Sequence, residues 1–370
     1  MTVLAEAAVA PADDASVDGA DQRGADRRSP GCGPRSLLRS GPTRALGVLV
    51  ALAALLVAVA CSIALGSKSI PFGEVWRALV ADDGSNAHLV VRSLRVPRTL
   101  LGLGVGAALG LAGALMQGVT RNPLADPGLL GVDAGAALAV VVAIHSFGVT
   151  SLTGYVWFAF AGAGLASVVV YLLGSLGRGG ASPVKLALSG AALTALLTAL
   201  TSTVLLLDVQ TLDVFRFWAV GSLAGRDADV VAQVWPFLAA GTLLALASAR
   251  ALNTLSLGDD VARSLGQRVH LARGVSAVSI VLLCGAATAA AGPIGFVGLT
   301  VPHVARAICG PDHRWILAWS IVLAPTLLLS ADVVGRVVAR PGEVQVGIVT
   351  AFLGAPFLIA LVRRRTLADL

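Results

Sequence analysis

Residues 101–144 read LGLGVGAALGLAGALMQGVTRNPLADPGLLGVDAGAALAVVVAI. Two long apolar runs flank the polar stretch Arg121–Gly131, RNPLADPGLLG. Each run supplies about the 20 apolar residues that a helix needs to cross a bilayer. Pro123 and Pro127 end one helix, and Gly128 allows the next one to begin. The segment therefore predicts two membrane helices joined by a constrained turn.

The composition extends this prediction to the whole chain. Of 370 residues, 56% are hydrophobic and 13% are charged, and the mean hydropathy is +0.84. A soluble domain carries about 25% charged residues. The sequence therefore predicts an all-α polytopic membrane protein. The isoelectric point of 9.8 could suggest nucleic acid, but the basic residues lie between apolar segments and form no stripe.

Apolar runs predict about ten spans along the chain. They cover roughly 45–66, 97–117, 128–148, 154–174, 186–207, 229–250, 272–291, 295–309, 315–335 and 344–362, and the eighth is short and broken by Gly295, Gly298 and Pro302. Residues 1–43 are rich in Asp, Arg, Pro and Gly, which predicts a disordered tail. The membrane domain is then 44–365, and 366–370 form a C-terminal tail.

The positive-inside rule gives the orientation. Basic residues are about twice as frequent in segments that face the cytoplasm if both termini lie inside. The basic residues predicted outside are concentrated at 92–98 and 336–340, which needs another explanation.

An internal repeat relates the two halves of the chain. Gly106–Gly113, GAALGLAG, aligns with Gly285–Gly292, GAATAAAG, and Pro123 and Pro302 keep the same offset of 179 residues. The two copies run in opposite directions, as in transporters built from inverted repeats. We predict a repeat of five plus five spans; chance matching in a chain rich in Ala and Gly is the alternative.

The chain offers no energy source of its own. The predicted spans hold almost no acids, and Asp332 has Arg336 four residues later, the spacing of a helical ion pair. No G-x-x-x-x-G-K-[ST] phosphate loop and no Cys/His cluster occur in the sequence. We therefore predict no catalytic residue, no metal site and no ATPase site, and expect another subunit to drive uphill transport.

A cytoplasmic segment suits contact with such a subunit. Leu257–Val269 reads LGDDVARSLGQRV, with Val261, Leu265 and Val269 at intervals of four beside charged residues. This pattern predicts a short amphipathic helix lying off the membrane. An ordinary polar connector is the alternative.

With these stretches in view, the sequence resembles FecCD-type permease subunits of ABC importers for ferric siderophores, haem and vitamin B12. The matching stretches cover about residues 45–365 in the expected order: Leu94–Arg98 (LRVPR), Gly106–Gln117, Arg121–Gly131, Ala262–Gly266 (ARSLG), Gly292–Arg306 (GPIGFVGLTVPHVAR), Ala331–Arg336 (ADVVGR) and Gly347–Phe357 (GIVTAFLGAPF). One departure is Gln345, which stands where the family usually has proline; Arg340–Gly342 is expected to take over the turn there.

The resemblance implies a subunit with ten spans that pairs with a second permease subunit around a central path in the bacterial cytoplasmic membrane. Two ATPase subunits, which bind ATP and Mg²⁺, attach on one side, and a substrate-binding protein docks on the other. The expected cargo is a ferric siderophore; cobalamin or haem is the alternative within the family, and a stand-alone secondary transporter is the alternative from another class. Whether the pair is a homodimer or a heterodimer is left open.

The resemblance also implies three groups of site residues. Arg95, Arg98 and Arg336 match arginines that meet acidic residues of the binding protein, which would explain the basic residues outside; lipid headgroups or internal pairing are the alternatives. The second group is the segment 259–270 that couples to the ATPase, with Asp259, Asp260, Val261, Ala262, Arg263, Leu265 and Gly266 as its site residues. We assign the third group, Asn122 and Leu124, to a cytoplasmic gate, against the alternative of a rigid connector.

Overall fold

The computed structural model describes residues 41–66, 69–81, 83–176 and 183–363. Within these ranges the chain is helical and forms no strand. The predicted N-terminal tail lies outside the described residues except for 41–43, which begin the first helix. The predicted C-terminal tail, 366–370, also lies outside them.

Thirteen helices are assigned in the described residues, besides a short 3-10 helix at Pro127–Leu130. They are α1 (Gly41–Ala64), α2 (Phe72–Val80), α3 (Asn86–Thr120, with a π-helical turn at Val90–Arg95), α4 (Val132–Phe147), α5 (Leu152–Ser175), α6 (Pro183–Leu207), α7 (Val209–Ala219), α8 (Ala228–Leu255), α9 (Asp259–Ser264), α10 (Val269–Ala291), α11 (Val297–Cys309), α12 (His313–Val338) and α13 (Val346–Arg363).

The predicted class, an all-α polytopic membrane protein, is confirmed. In the described residues seven helices are long and apolar enough to cross a membrane: α1, α3, α5, α6, α8, α10 and α12. The shorter apolar helices α4, α11 and α13 lie over the remaining predicted spans. The count of ten and the inverted repeat stay predictions.

The eighth predicted span differs in detail from the expectation. Gly298 and Pro302 lie inside the continuous helix α11, so the predicted breaks at these two residues are wrong, whereas Gly295 lies in the non-helical stretch before it. The chain leaves helical geometry earlier, between Gly292 and Phe296, and both residues have positive φ, 76° and 69°. Pro123, by contrast, lies in the non-helical turn after α3. The two prolines of the predicted repeat therefore have different local roles. The predicted roles of Pro127 and Gly128 are wrong, because both lie in a 3-10 helix and it is Gly131, with a φ of 72°, that precedes α4.

Helix α3 forms the centre of the described bundle and packs against α8, α10, α11 and α12. Its glycines allow close approach: a Cβ at Gly106 would meet the backbone of Pro325, and one at Gly113 would overlap the carbonyl oxygen of Gly298. Small residues at crossings let helix backbones approach in a membrane, where packing rather than the hydrophobic effect holds helices together.

Helices α1 and α6 have the opposite character, since most of their apolar surface is not covered by the described part of this chain. On α6, for example, Val184 and Leu188 are 75% and 73% exposed. An apolar helix of this kind is covered by lipid or by a partner subunit.

Candidate docking and coupling sites

Four arginines surround a cavity of about 460 Å³ at the end of the bundle where α3 begins. We call it the arginine pocket; its charged lining residues are Arg95, Arg98, Arg226, Arg336 and Glu343. The π-helical turn ends at Arg95, and α12 supplies Arg336 near its C-terminus. The structure thus brings the three predicted docking arginines together, although 241 positions separate Arg95 from Arg336 in the sequence.

Asp332 is the carboxylate that holds the pocket together. Its Oδ1 lies 2.6 Å from Nη2 of Arg98, and its Oδ2 lies 2.7 Å from Nη2 of Arg336. Arg98 also donates from Nη1 to Oε2 of Glu343 at 2.9 Å. The side chain of Asp332 is 1% exposed, so these charge-assisted hydrogen bonds replace water around a fully buried acid. The predicted helical pair of Asp332 with Arg336 is present.

Arg95 and Arg336 also bind the end of α1. Arg336 Nη1 donates to the carbonyls of Ser62 and Leu65 at 2.9 and 3.0 Å. Arg95 Nη1 donates to those of Ile63 and Ala64 at 2.8 and 2.7 Å. The last carbonyls of a helix have no partner within the helix, and here guanidinium groups from α3 and α12 satisfy them.

These contacts define what the arginine pocket offers to a ligand. Arg95 and Arg336 are almost completely buried, and Arg98 is 14% exposed. Among the described residues, four arginines and the carboxylate of Glu343 line the pocket, and Asp332 pairs with two of these arginines, so positive charge is in excess. The pocket is therefore suited to an acidic group that enters through its open side.

The turn before α13 lies at the rim of the pocket. The helix α12 ends at Val338, and Ala339–Pro341 form the turn. Val344 N donates to the carbonyl of Gly335 at 3.1 Å, and Gln345 accepts from Ile348 N at 3.1 Å as α13 begins. The turn thus falls on Arg340 and Pro341, as expected, and Gln345 starts the next helix.

The predicted coupling segment lies beyond the far end of α3. Its helix, α9, spans only Asp259–Ser264. The predicted helix over Leu257–Val269 is too long, because Gly266 adopts a φ of +79° that ends helical geometry. Val269 is already the first residue of α10 and is buried.

Exposed apolar side chains mark this segment. Leu257, Val261 and Leu265 are 60%, 46% and 65% exposed, whereas Ala262 is fully buried. The segment thus rests on the bundle through Ala262 and presents three large apolar side chains that no other part of the described chain covers. We call these three residues the apolar patch.

Asp259 connects the coupling segment to the stretch RNPLADPGLLG. Its carboxylate lies 3.2 Å from Nη2 of Arg121 and 2.9 Å from Nη2 of Arg273. Arg121 opens that stretch and has a left-handed φ of 51°, which ends α3. Sequence reasoning did not find Arg121 or Arg273, since nothing local indicates that Arg121 meets a residue 138 positions away.

The predicted gate residues lie in the same turn. Asn122 Oδ1 accepts from Leu124 N at 2.9 Å, an arrangement in which an Asn side chain shapes a turn. Leu124 is 38% exposed. Further along, Gly190 of α6 packs on the carbonyl of Leu129, at such close range that a Cβ would overlap it. A cavity of about 440 Å³ lies between this turn and α6.

The comparison with known families identifies the chain. Residues 54–364 match the FecCD transport family. The chain belongs to this family. The match includes the arginine pocket, the coupling segment and the turn between α3 and α4, and the resemblance that the sequence motifs indicated is confirmed.

FecCD relatives match along nearly their whole length. The ferric enterobactin transport system permease protein FepD of Escherichia coli (strain K12) is 50% identical over 325 residues, which are 88% of this chain and 97% of the relative. The hemin transport system permease protein HmuU of Yersinia pestis is 36% identical and covers 88% of this chain and 97% of itself.

A solved transporter structure has the same architecture. It is described as a metal-chelate type ABC transporter in an inward-facing conformation, and it is 28% identical with a TM-score of 0.74. The match covers 85% of this chain and 98% of that structure. The chain is therefore a multi-pass permease with the FecCD helical fold.

Proposed function

We propose that this chain is the permease subunit of an ABC importer that carries a ferric siderophore through the membrane. The observation that supports this most strongly is the 50% identity to a ferric enterobactin permease along 97% of that protein. The haem permease relative is more distant, which favours a siderophore over haem. Iron is the cargo here, and this chain contributes no resident metal, cofactor or catalytic group.

The two sites suit opposite surfaces of such an importer. The arginine pocket lies at the start of α3, and Arg121 lies at its end, roughly 39 Å away for 26 helical residues. The distance matches a bilayer with its interfaces. We infer that the pocket faces out, that the coupling segment faces the cytoplasm with both termini, and that the membrane is the bacterial cytoplasmic membrane.

The arginine pocket is the proposed docking site for the substrate-binding protein. Excess positive charge in a recess favours an acidic side chain of the partner and speeds its approach. Arg98 is the arginine that such a side chain reaches most readily. Arg95 and Arg336 hold the wall of the pocket and add to its potential.

The coupling segment is the proposed contact with the ATPase subunits, which bind ATP and Mg²⁺. Its apolar patch gives a small buried core for that interface, with Asp260 and Arg263 at the rim. Movement of the ATPases then passes through Asp259 to Arg121 and the turn that holds Asn122 and Leu124. This contact gives the proposed gate a direct mechanical link to the energy source.

A second permease subunit completes the translocation path. The uncovered apolar faces of α6 and α13 offer surfaces for such a partner, either another copy of this chain or a paralogue. Because α6 packs on the gate turn through Gly190, a shift of the turn is expected to change the position of α6 as well. Alternating access would follow from this linkage.

Uptake by reconstituted vesicles tests the proposal. Vesicles that hold this chain with its ATPase and permease partners should accumulate radiolabelled ferric siderophore when the binding protein is outside and ATP inside. Neither cobalamin nor haem should compete. Uptake that continues without the ATPase and collapses with an uncoupler would instead indicate a secondary transporter.

A further inference from the structure

Helix α2 has three faces of different character. At 100° per residue, Val75 and Ala78 share one side, and both are buried. They pack in a small cluster with Ala64 at the end of α1, Ile70 and Val91. This side attaches the helix to the bundle.

The next face is apolar and uncovered. Phe72, Trp76 and Val80 follow at intervals of four and are 61%, 68% and 66% exposed. Leu79, at 43%, lies between them and the buried side. Residues spaced by four stack on one side of a helix, so these side chains form one continuous hydrophobic surface.

The third face is polar. Gly73, Glu74 and Arg77 occupy the remaining arc, and Arg77 Nε donates to the Gly73 carbonyl at 3.4 Å. The helix is therefore divided into a side for protein, a side without polar side chains and a side for water. A helix surrounded only by water would not separate the last two.

Contacts with α1 and α3 fix the position of α2. Ile70 N donates back to the carbonyl of Ala64, the last residue of α1, at 3.0 Å. Arg92, in the first turns of α3, donates from Nε to the carbonyl of Ala78 at 2.6 Å and from Nη2 to that of Leu79 at 3.3 Å. The helix is thus held at the level where one apolar helix long enough to cross a membrane ends and the next begins, which is where a bilayer surface is expected.

The apolar face is also continuous in character with the neighbouring surface. On α1, Leu56 and Val57 are 69% and 62% exposed, as expected for a helix that faces lipid. Trp is enriched at membrane interfaces because its ring is amphipathic. Helices with a polar face and an apolar face carrying Trp and Phe lie in the plane of the interface, with the apolar face buried below the headgroups.

We propose that α2 is an interfacial helix whose Phe72, Trp76 and Val80 side chains insert into the lipid bilayer. The apolar face of α2 then lies at the boundary between headgroups and acyl chains, in the leaflet at this end of the bundle. The helix anchors the first connection of the chain and, through Arg92, the start of α3 to the membrane surface. This inference needs only the membrane fold and does not depend on the cargo or on the ATPase.

Tryptophan quenching in lipid nanodiscs tests the proposal. The full chain is placed in discs of phosphatidylcholine with or without bromine near the top of the acyl chains, and Trp76→Phe is measured in parallel. The difference between the two proteins isolates Trp76 from the other tryptophans of the chain. We expect brominated lipid to remove most of this difference signal, and iodide in the water to have little effect.

Two variants serve as matched controls. Trp76→Phe with Val80→Trp returns an indole to the apolar face and should restore quenching by bromine. Trp76→Phe with Arg77→Trp moves it to the polar face, where iodide should quench it and bromine should not. The proposal is wrong if brominated lipid does not quench Trp76, whether the side chain is then quenched by iodide or shielded from both quenchers by a second copy of this chain.

Discussion

Asp332 depends on its two arginine partners because its carboxylate is fully buried and has no contact with water. Two guanidinium groups contact it within 2.7 Å, and the acid would be costly to bury without them. The same arginines point into the arginine pocket. The same guanidinium groups therefore stabilise the fold and are available to a docking partner. A substitution that tests docking must leave the contacts with Asp332 in place.

Arg336→Ala should destabilise the fold. It removes one partner of a buried acid and the hydrogen bonds to the carbonyls of Ser62 and Leu65, a change expected to cost about 3 kcal/mol. Thermal unfolding in detergent measures it. The control is Arg216→Ala, since the pair of Arg216 with Asp213 is more than half exposed and is worth about 0–1 kcal/mol. Equal stability of the two variants would contradict this account of the pocket.

Glu343→Gln should strengthen docking. The side chain is 36% exposed, and its loss of charge leaves the arginines with Asp332 alone, so the pocket becomes more positive. We expect a higher association rate constant with the binding protein and a steeper dependence of this rate on salt concentration. Surface plasmon resonance with the immobilised permease measures both. Unchanged association at low salt would argue that the partner does not reach this pocket.

At the scale of the element, the short helix α9 is a part with two surfaces. Ala262 faces the bundle, and the apolar patch faces away from it. Asp259 ties its first turn to the ends of α3 and α10. A force applied to the patch therefore acts on the turn between α3 and α4 without passing through the core.

Leu265→Asp should weaken the complex with the ATPase while the permease stays folded. The side chain is 65% exposed, so its loss costs the fold little, but a charge in an apolar contact is expected to reduce affinity at least about tenfold. Co-purification with the ATPase measures this. Ser264→Asp, which adds the same charge at the exposed neighbouring position, should have the smaller effect.

Asp259→Asn should loosen coupling. The amide no longer pairs electrostatically with Arg121 and Arg273, so α9 follows the ATPase without moving the turn as firmly. We expect more ATP hydrolysed per chelate imported in reconstituted vesicles, with the complex still assembled. Asp213→Asn is the control, because that side chain is 58% exposed, pairs with Arg216 and lies outside the coupling segment. If Asp259→Asn hydrolyses the same amount of ATP per imported chelate as the unchanged protein, the contacts of Asp259 with Arg121 and Arg273 do not transmit the movement of the ATPase.

At the scale of the whole molecule, the proposed gate requires two subunits. Leu124→Cys in both permease subunits should allow a disulfide across the pair when the inner mouth is closed, and oxidation should then stop transport until a reductant restores it. Vesicle uptake before and after reduction gives the measurement. A bond that forms fully and leaves transport intact would show that the turn is a rigid connector.

Features that depend on one segment of the chain could be predicted from the sequence, and contacts between distant segments could not. A span can be predicted locally, because a run of apolar residues is enough to indicate it. Each of the ten predicted segments overlaps a helix, and seven of these helices are long and apolar enough to cross a membrane. Contacts between distant segments are not local: Arg98 meets Asp332 across 234 positions and Arg121 meets Asp259 across 138. The charge count indicated the clusters 92–98 and 336–340, and helical spacing predicted the pair of Asp332 with Arg336. Only the family resemblance singled out Arg95 and Arg98, and neither signal predicted the contacts of Arg95 and Arg336 with the end of α1.

The end of α1 carries a consequence for how the protein is made. The carbonyl of Ser62 accepts a hydrogen bond from Arg336, which lies 274 residues further along the chain. At about 5–20 residues per second of synthesis, that arginine leaves the ribosome about 14–55 s after α1. During this interval the first helix is in the bilayer with its end only partly capped, by Arg95. The end of α1 is therefore fully hydrogen-bonded only after α12 has been made. A nascent chain that stops before α12 lacks these hydrogen bonds, and we expect membrane proteases to cleave it more readily there.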